Sequence, residues 1–144
     1  MITYDPLNPD AVTGAWKSAT RGADGKLSGS LATIDSKHAY WVNSASFLPI
    51  KANIPDAGFA ATPPVIAVTA GWNMVPVVSL TGAAPGALIS ADTYFASLPS
   101  WVTAYSFDPQ AATAWTKVTP KSFQNVVVGK GYWLYSTAAG ILVP

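Results

Sequence analysis

The chain has 144 residues, of which only 10% are charged, with a formal net charge of +1. So sparse and balanced a charge excludes the basic patch that a nucleic-acid surface needs to displace counterions, and equally a polybasic membrane face. Half of the residues are apolar, enough for a sizeable core in one domain or two small ones, and with no cysteine that core must hold without disulfides.

Helix formers are scarce, and all the acids are Asp rather than Glu. Val, Thr, Trp and Tyr are abundant, and 12 Pro and 11 Gly punctuate them, which reads as an all-β chain. No apolar run approaches the ~18 residues of a spanning helix, so no membrane insertion is expected. The opening residues lack a basic start and a hydrophobic segment, so no signal peptide is expected either.

In chain order, Asp5-Pro6 and Asn8-Pro9 discourage helix and predict a turn-rich opening. Residues 13–20 predict a short strand carrying Trp16. Residues 21–30 are a polar loop in which Asp24-Gly25 suits a hairpin turn, and 31–34 predict another short strand. Residues 39–45 alternate, placing Tyr40 and Val42 on one face and Trp41 and Asn43 on the other. Residues 47–50 return beside them, with Pro49 indicating an edge. The Pro-, Gly- and Ala-rich stretch 55–64 is a connection between residues 1–54 and 65–144.

Residues 65–70 read as a buried strand, Gly71-Trp72-Asn73 as a turn, 74–80 as the returning strand and 81–86 as a loop. One helix is predicted at 91–98, with Ser90 as its cap, a buried stripe of Tyr94, Phe95 and Leu98, and Pro99 as its stop. Residues 101–107 alternate with Trp101, Thr103, Tyr105 and Phe107 on one face. Trp115 lies on a short strand. Residues 125–128 and 132–137 are strands separated by a kink or bulge at Gly129-Lys130-Gly131, and 141–143 form the last strand.

The chain repeats itself. Tyr40-Trp41-Val42 matches Tyr132-Trp133-Leu134, each followed two residues later by Ser. Upstream, Tyr4-Asp5-Pro6 answers Phe107-Asp108-Pro109, and Ala15-Trp16 answers Ala114-Trp115. The intervening segments differ in length, as loops tolerate and core strands do not. The fold expected is therefore a sandwich or barrel of short antiparallel strands built from two related units.

With Gly71-Trp72-Asn73-Met74-Val75, Phe107-Asp108-Pro109, Ala114-Trp115 and Gly129-Lys130-Gly131-Tyr132-Trp133-Leu134 in one order, residues 65–144 resemble a known module. It runs from a "GWNL" strand to a "GKGYW" strand in bacterial and archaeal cell-surface and secreted proteins and in some phage proteins. The resemblance implies a surface or assembly role and supplies no active site. Residues 1–54 carry only its later part, with His38-Ala39 in place of Lys-Gly and no "GWN" strand before it, so the first unit is incomplete.

Little in the chain points to catalysis. Asp5 and Asp108 each precede Pro, and Asp24 and Asp56 sit near Gly, where an Asx-type turn accounts for the carboxylate. Asp5, Asn8 and Asp10 offer oxygen ligands but lack the spacing of a calcium loop, so no metal and no cofactor is expected. His38 is the sole histidine, no Gly-x-Ser-x-Gly elbow accompanies it, and its counterpart in the second unit is Lys130. An exposed, dispensable side chain is the reading. Neither Gly-rich segment, 22–29 or 129–131, ends in the Lys-Ser/Thr of a phosphate loop.

The aromatics remain. Trp41, Trp72, Trp101 and Trp133, with Tyr40 and Tyr132, are assigned to the core. Trp16 and Trp115, beside loops of variable length, are the residues expected to touch a partner or ligand, with Tyr4 and Phe47. These readings describe a non-enzymatic structural or assembly module of an extracellular surface, a virion or a cell envelope. Its partners are other copies or neighbouring structural proteins. The alternative is a carbohydrate-binding or adhesion module, since flat rings pack on the apolar faces of sugars.

Overall fold

A computed structural model describes residues 1–44, 65–79 and 83–144. In chain order its elements are the strands β1 (Ile2–Tyr4), β2 (Trp16–Ser18), β3 (Thr20–Arg21), β4 (Leu27–Ser28), β5 (Ile66–Val68), β6 (Gly71–Pro76) and β7 (Leu88–Ser90). The helix α1 (Ala91–Tyr94) follows, then β8 (Trp101–Phe107), β9 (Trp115–Val118), β10 (Asn125–Val127), β11 (Gly131–Ser136) and β12 (Gly140–Leu142). The chain is all-β. Its principal sheet has four antiparallel strands in the order β6-β11-β8-β9, surrounded by the ribbons β1-β2, β3-β4, β5-β12 and β7-β10.

The strict alternation of Tyr132, Leu134 and Ser136 with Gly131, Trp133 and Tyr135 makes β11 the centre of that sheet, because each set faces one side. The first set is buried. Cross-strand register places Val75 beside Tyr132, Ala104 beside Leu134 and Val118 beside Ala104, so one face of the sheet is continuously apolar. A second layer closes on it: Ile66, Val68 and Leu142 from β5-β12, Val126 from β10, and Tyr94, Phe95 and Leu98 from the helical turn. Each such large side chain contributes about 1.5–3 kcal/mol of burial. This packed core is drawn from the segment between Ile66 and Leu142.

Several sequence expectations shift in detail. The helix has a single turn, and Ser90 makes no side-chain cap bond. The turns that follow still bury Phe95 and Leu98, and the Tyr94 hydroxyl, donating to the Pro76 carbonyl and accepting from the Val78 N–H, fastens the turn to the end of β6. Trp101 departs from its strand-mates. The register between β8 and β11 slips at Tyr135/Ser136, and Trp101 turns into the core against Phe95 at 4.8 Å while Phe107 stays on the outer side.

Gly71-Trp72-Asn73 is the start of β6, not a turn. The turn lies just before it, where Gly71 takes φ +97°. The buried Asn73 side chain closes it, accepting from the Thr69 N–H at 2.9 Å and donating to the Thr69 and Gly71 carbonyls. Trp72, between them in an extended strand, necessarily faces the opposite side from Asn73. Residues 31–34 form no strand, the preceding Leu27–Ser28 pairing with β3 instead. The segment at Tyr40-Trp41 is reduced to one bridge, Trp41 with Ile2. The expectations for residues 45–64, Phe47 among them, lie outside the described residues.

The two halves share their bonding. Tyr4 pairs with Trp16 and Phe107 with Trp115, each pair at the end of a two-stranded antiparallel match. The Asp5 N–H donates to the Ala15 carbonyl and the Asp108 N–H to the Ala114 carbonyl, both at 2.8 Å. Ile2 opposes Trp41 as Tyr105 opposes Trp133. The Tyr40 hydroxyl accepts from the Asp35 N–H and the Tyr132 hydroxyl from the Val127 N–H, both at 3.0 Å and both across a sequence separation of 5.

Candidate functional site

The face of the sheet opposite the core is aromatic, and strand alternation makes it so. Placing Tyr132 and Leu134 inward sends Trp133 and Tyr135 outward. Register then sets Trp72 and Thr103 beside Tyr135, Met74 and Tyr105 beside Trp133, Lys117 beside Tyr105, and Trp115 beside Phe107. The first half is laid on this face. Tyr4 and Trp16 meet the Trp133 ring at 5.4 and 5.5 Å, and Trp41 meets Trp133, Trp115 and Phe107 at 6.4, 5.9 and 6.0 Å.

Trp133 is the hub. Trp16, Trp41 and Trp72 meet it edge-to-face, at interplanar angles of 67°, 84° and 88°. Edge-to-face contacts set the positive rim of one ring on the negative face of another and contribute about 0.5–1.5 kcal/mol each beyond burial. The rings leave a groove of about 430 Å³ among Tyr4, Trp16, Trp72, Tyr105, Trp115 and Trp133. Trp16, Trp72 and Trp115 are 41%, 43% and 44% exposed, so their ring faces belong to the surface. Trp41 is also exposed.

Carboxylates fasten the turns that follow Tyr4 and Phe107. Asp5 directly follows Tyr4 and is buried; Lys17 Nζ lies 3.3 Å and His38 Nε2 3.8 Å from its Oδ2, and Asn8 donates from both backbone and side chain. Burial pushes the Asp5 carboxyl up, but the bonds from Asn8 and Lys17 and the nearby His38 outweigh it and hold the group below the usual carboxylate range. Asp108, after Phe107, is held low by Lys130 Nζ at 2.8 Å and the Gln110 N–H at 3.0 Å. The aligned residues His38 and Lys130 thus do one job, each meeting the Asp of its own Asp-Pro turn.

His38 is accordingly not the idle surface residue expected from the sequence. Its Nδ1 lies 2.8 Å from Asp35 Oδ1, so the imidazole spans two carboxylates. The Asp35 carboxyl is raised by burial and lowered, with net effect downward, by the His38 ring and the Lys37 N–H. These groups are engaged in holding the Asp-Pro turns, and none of them lines the groove.

The structure brings Tyr4, Trp16 and Trp115 together as the predicted contact residues. Trp101 and Tyr132 are in the core, as assigned. Trp41 and Trp72 are not: both are exposed, Trp72 because its side of β6 points away from the second layer and Trp41 because it lies over that outer face with the other rings. Trp133 and Tyr40 are half-buried. Sequence reasoning passed over Tyr105, which lines the groove, and Tyr135, which packs on Trp72 at 5.1 Å. The alternation at 101–107 carried the signal for Tyr105, but alternation alone does not say which face is covered. Comparison with family models, with curated proteins and with solved structures finds no match.

Proposed function

We propose that this chain is a non-enzymatic structural module of an extracellular surface, a virion or a cell envelope, and that it meets a neighbouring structural protein through the aromatic groove. The observation that carries the reading is the set of half-open Trp16, Trp72 and Trp115 around Trp133. A contiguous apolar patch rimmed by polar groups is the usual mark of an interaction site, and Trp and Tyr are the residues that most often anchor one. The lining is almost wholly apolar ring surface, which suits the burial of a partner's side chains.

The same ring faces favour a second reading, a carbohydrate site, because pyranose rings present flat C–H faces that pack on aromatic rings. Tryptophan fluorescence separates the two. Titration with a panel of neutral polysaccharides leaves the emission unchanged for an assembly module and shifts or quenches it for a sugar site. In either case Trp16→Ala and Trp115→Ala weaken binding by tenfold or more while the protein stays folded. If both variants retain every association of the parent, the groove is not the contact.

A further inference from the structure

A second surface follows from the unequal halves of the molecule, and it stands independently of what fills the aromatic groove. In the second half, Trp133 of β11 pairs with Tyr105 on one side, while Tyr132 and Leu134 face Val75 and Asn73 of β6 on the other. Among the described residues of the first half only one of these sides is made. The Trp41 N–H and C=O bond Ile2 reciprocally at 2.9 Å. In an extended chain the neighbouring N–H and C=O groups point the opposite way, so those of Tyr40 and Val42 face the position that β6 holds beside β11. Among the described residues no strand occupies it, and the main-chain groups of Val42 are unbonded there. A cleft of about 760 Å³ borders Tyr40 and Val42, with Phe107, Pro109 and Gly131 on its walls.

We propose that this edge receives an extended strand of another protein chain, antiparallel to residues 40–42, in the manner that β6 completes β11. The molecule itself supplies the template for the occupant. Residues at the Asn73 and Val75 positions point their main-chain groups at the acceptor, and a Trp at the position of Trp72 lies on the aromatic side. Main-chain bonding gives such a strand its affinity, and alternate side chains give it register. An unpaired edge of this kind is otherwise an open template for aggregation.

The test uses the full 144-residue chain and a synthetic peptide with the sequence of residues 71–78. The expected result is saturable binding that slows hydrogen exchange at the Tyr40 and Val42 amides. Peptides N-methylated at the residues equivalent to Asn73 and Val75 should lose at least tenfold in affinity. A peptide N-methylated at the Met74 equivalent, whose N–H points away, should bind like the parent. Trp16→Ala, which alters the groove, should leave peptide binding unchanged. The proposal is overturned if no peptide binds, if the methylated peptides bind alike, or if the Tyr40 and Val42 amides are already protected in the free protein.

Discussion

Tyr40-Trp41-Val42 and Tyr132-Trp133-Leu134 have nearly the same sequence and the same local bonds, yet opposite surroundings. Both Tyr hydroxyls accept an N–H from five residues upstream, and both Trp residues oppose the strand that leads into an Asp-Pro turn. Tyr132 and Leu134, however, are 2% and 0% exposed, whereas Val42 is 49% exposed. The difference is β6 on one flank and the second layer above, which the second copy has and the described part of the first does not. A motif of this size specifies a local bonding pattern. Whether it becomes core or surface is decided by what packs on it.

Paired substitutions at equivalent positions measure that difference. The largest effect is expected at Leu134→Ala, a cavity in a closed core costing about 3 kcal/mol, against less than about 0.5 kcal/mol for Val42→Ala. Chemical denaturation of the two variants gives both values, and equal losses would mean that the first unit is buried as deeply as the second.

Next come the hub Trp133 and its neighbour Trp72. Trp133→Ala removes the contacts to Tyr4, Trp16, Trp41 and Trp72 together and should cost about 3 kcal/mol, freeing the first half from the sheet. Trp72→Ala, at an exposed edge-strand position, should cost less than half as much. Limited proteolysis should cut residues 1–44 faster in Trp133→Ala than in Trp72→Ala.

Asp5 and Asp108 sharpen the comparison in the opposite sense, since here the first unit holds the more buried group. Asp5→Asn breaks bonds to a buried carboxylate and should cost about 2 kcal/mol at neutral pH. Asp108→Asn should have the smaller effect. Both carboxyls are lowered in the folded state from 3.8. Their stabilisation is therefore complete above that ordinary value and is lost as pH falls through the still lower folded one. The melting-temperature gap between wild type and Asp5→Asn should be constant from pH 7 to about 5 and shrink below about 4. A gap that widened on acidification would reverse the assigned direction.

The smallest change is expected at His38→Ala. It removes a partner of Asp5 and Asp35 and should lower stability by less than Asp5→Asn does, with His38→Lys, which copies the second unit's Lys130, recovering part of the loss.

The all-β class, the exact span of β8 and the equivalence of the two Asp-Pro turns were legible because they rest on short-range physics. Period-2 alternation writes a strand at 101–107, and Pro after Asp fixes a turn. Trp16 and Trp115 were singled out because they stand beside loops, and the structure places them with Tyr4 on one groove. The faces were not legible. Alternation states that Trp72 and Asn73 point opposite ways, and it is silent on which of them meets a second layer. Hydrophobicity then misassigned Trp72 and Trp41 to the core, because a large ring is equally apolar on either side of a sheet. Only the tertiary structure decided this, by setting β5-β12, β7-β10 and the helical turn on the Leu134 side and leaving the Trp133 side to the aromatic rings of both halves.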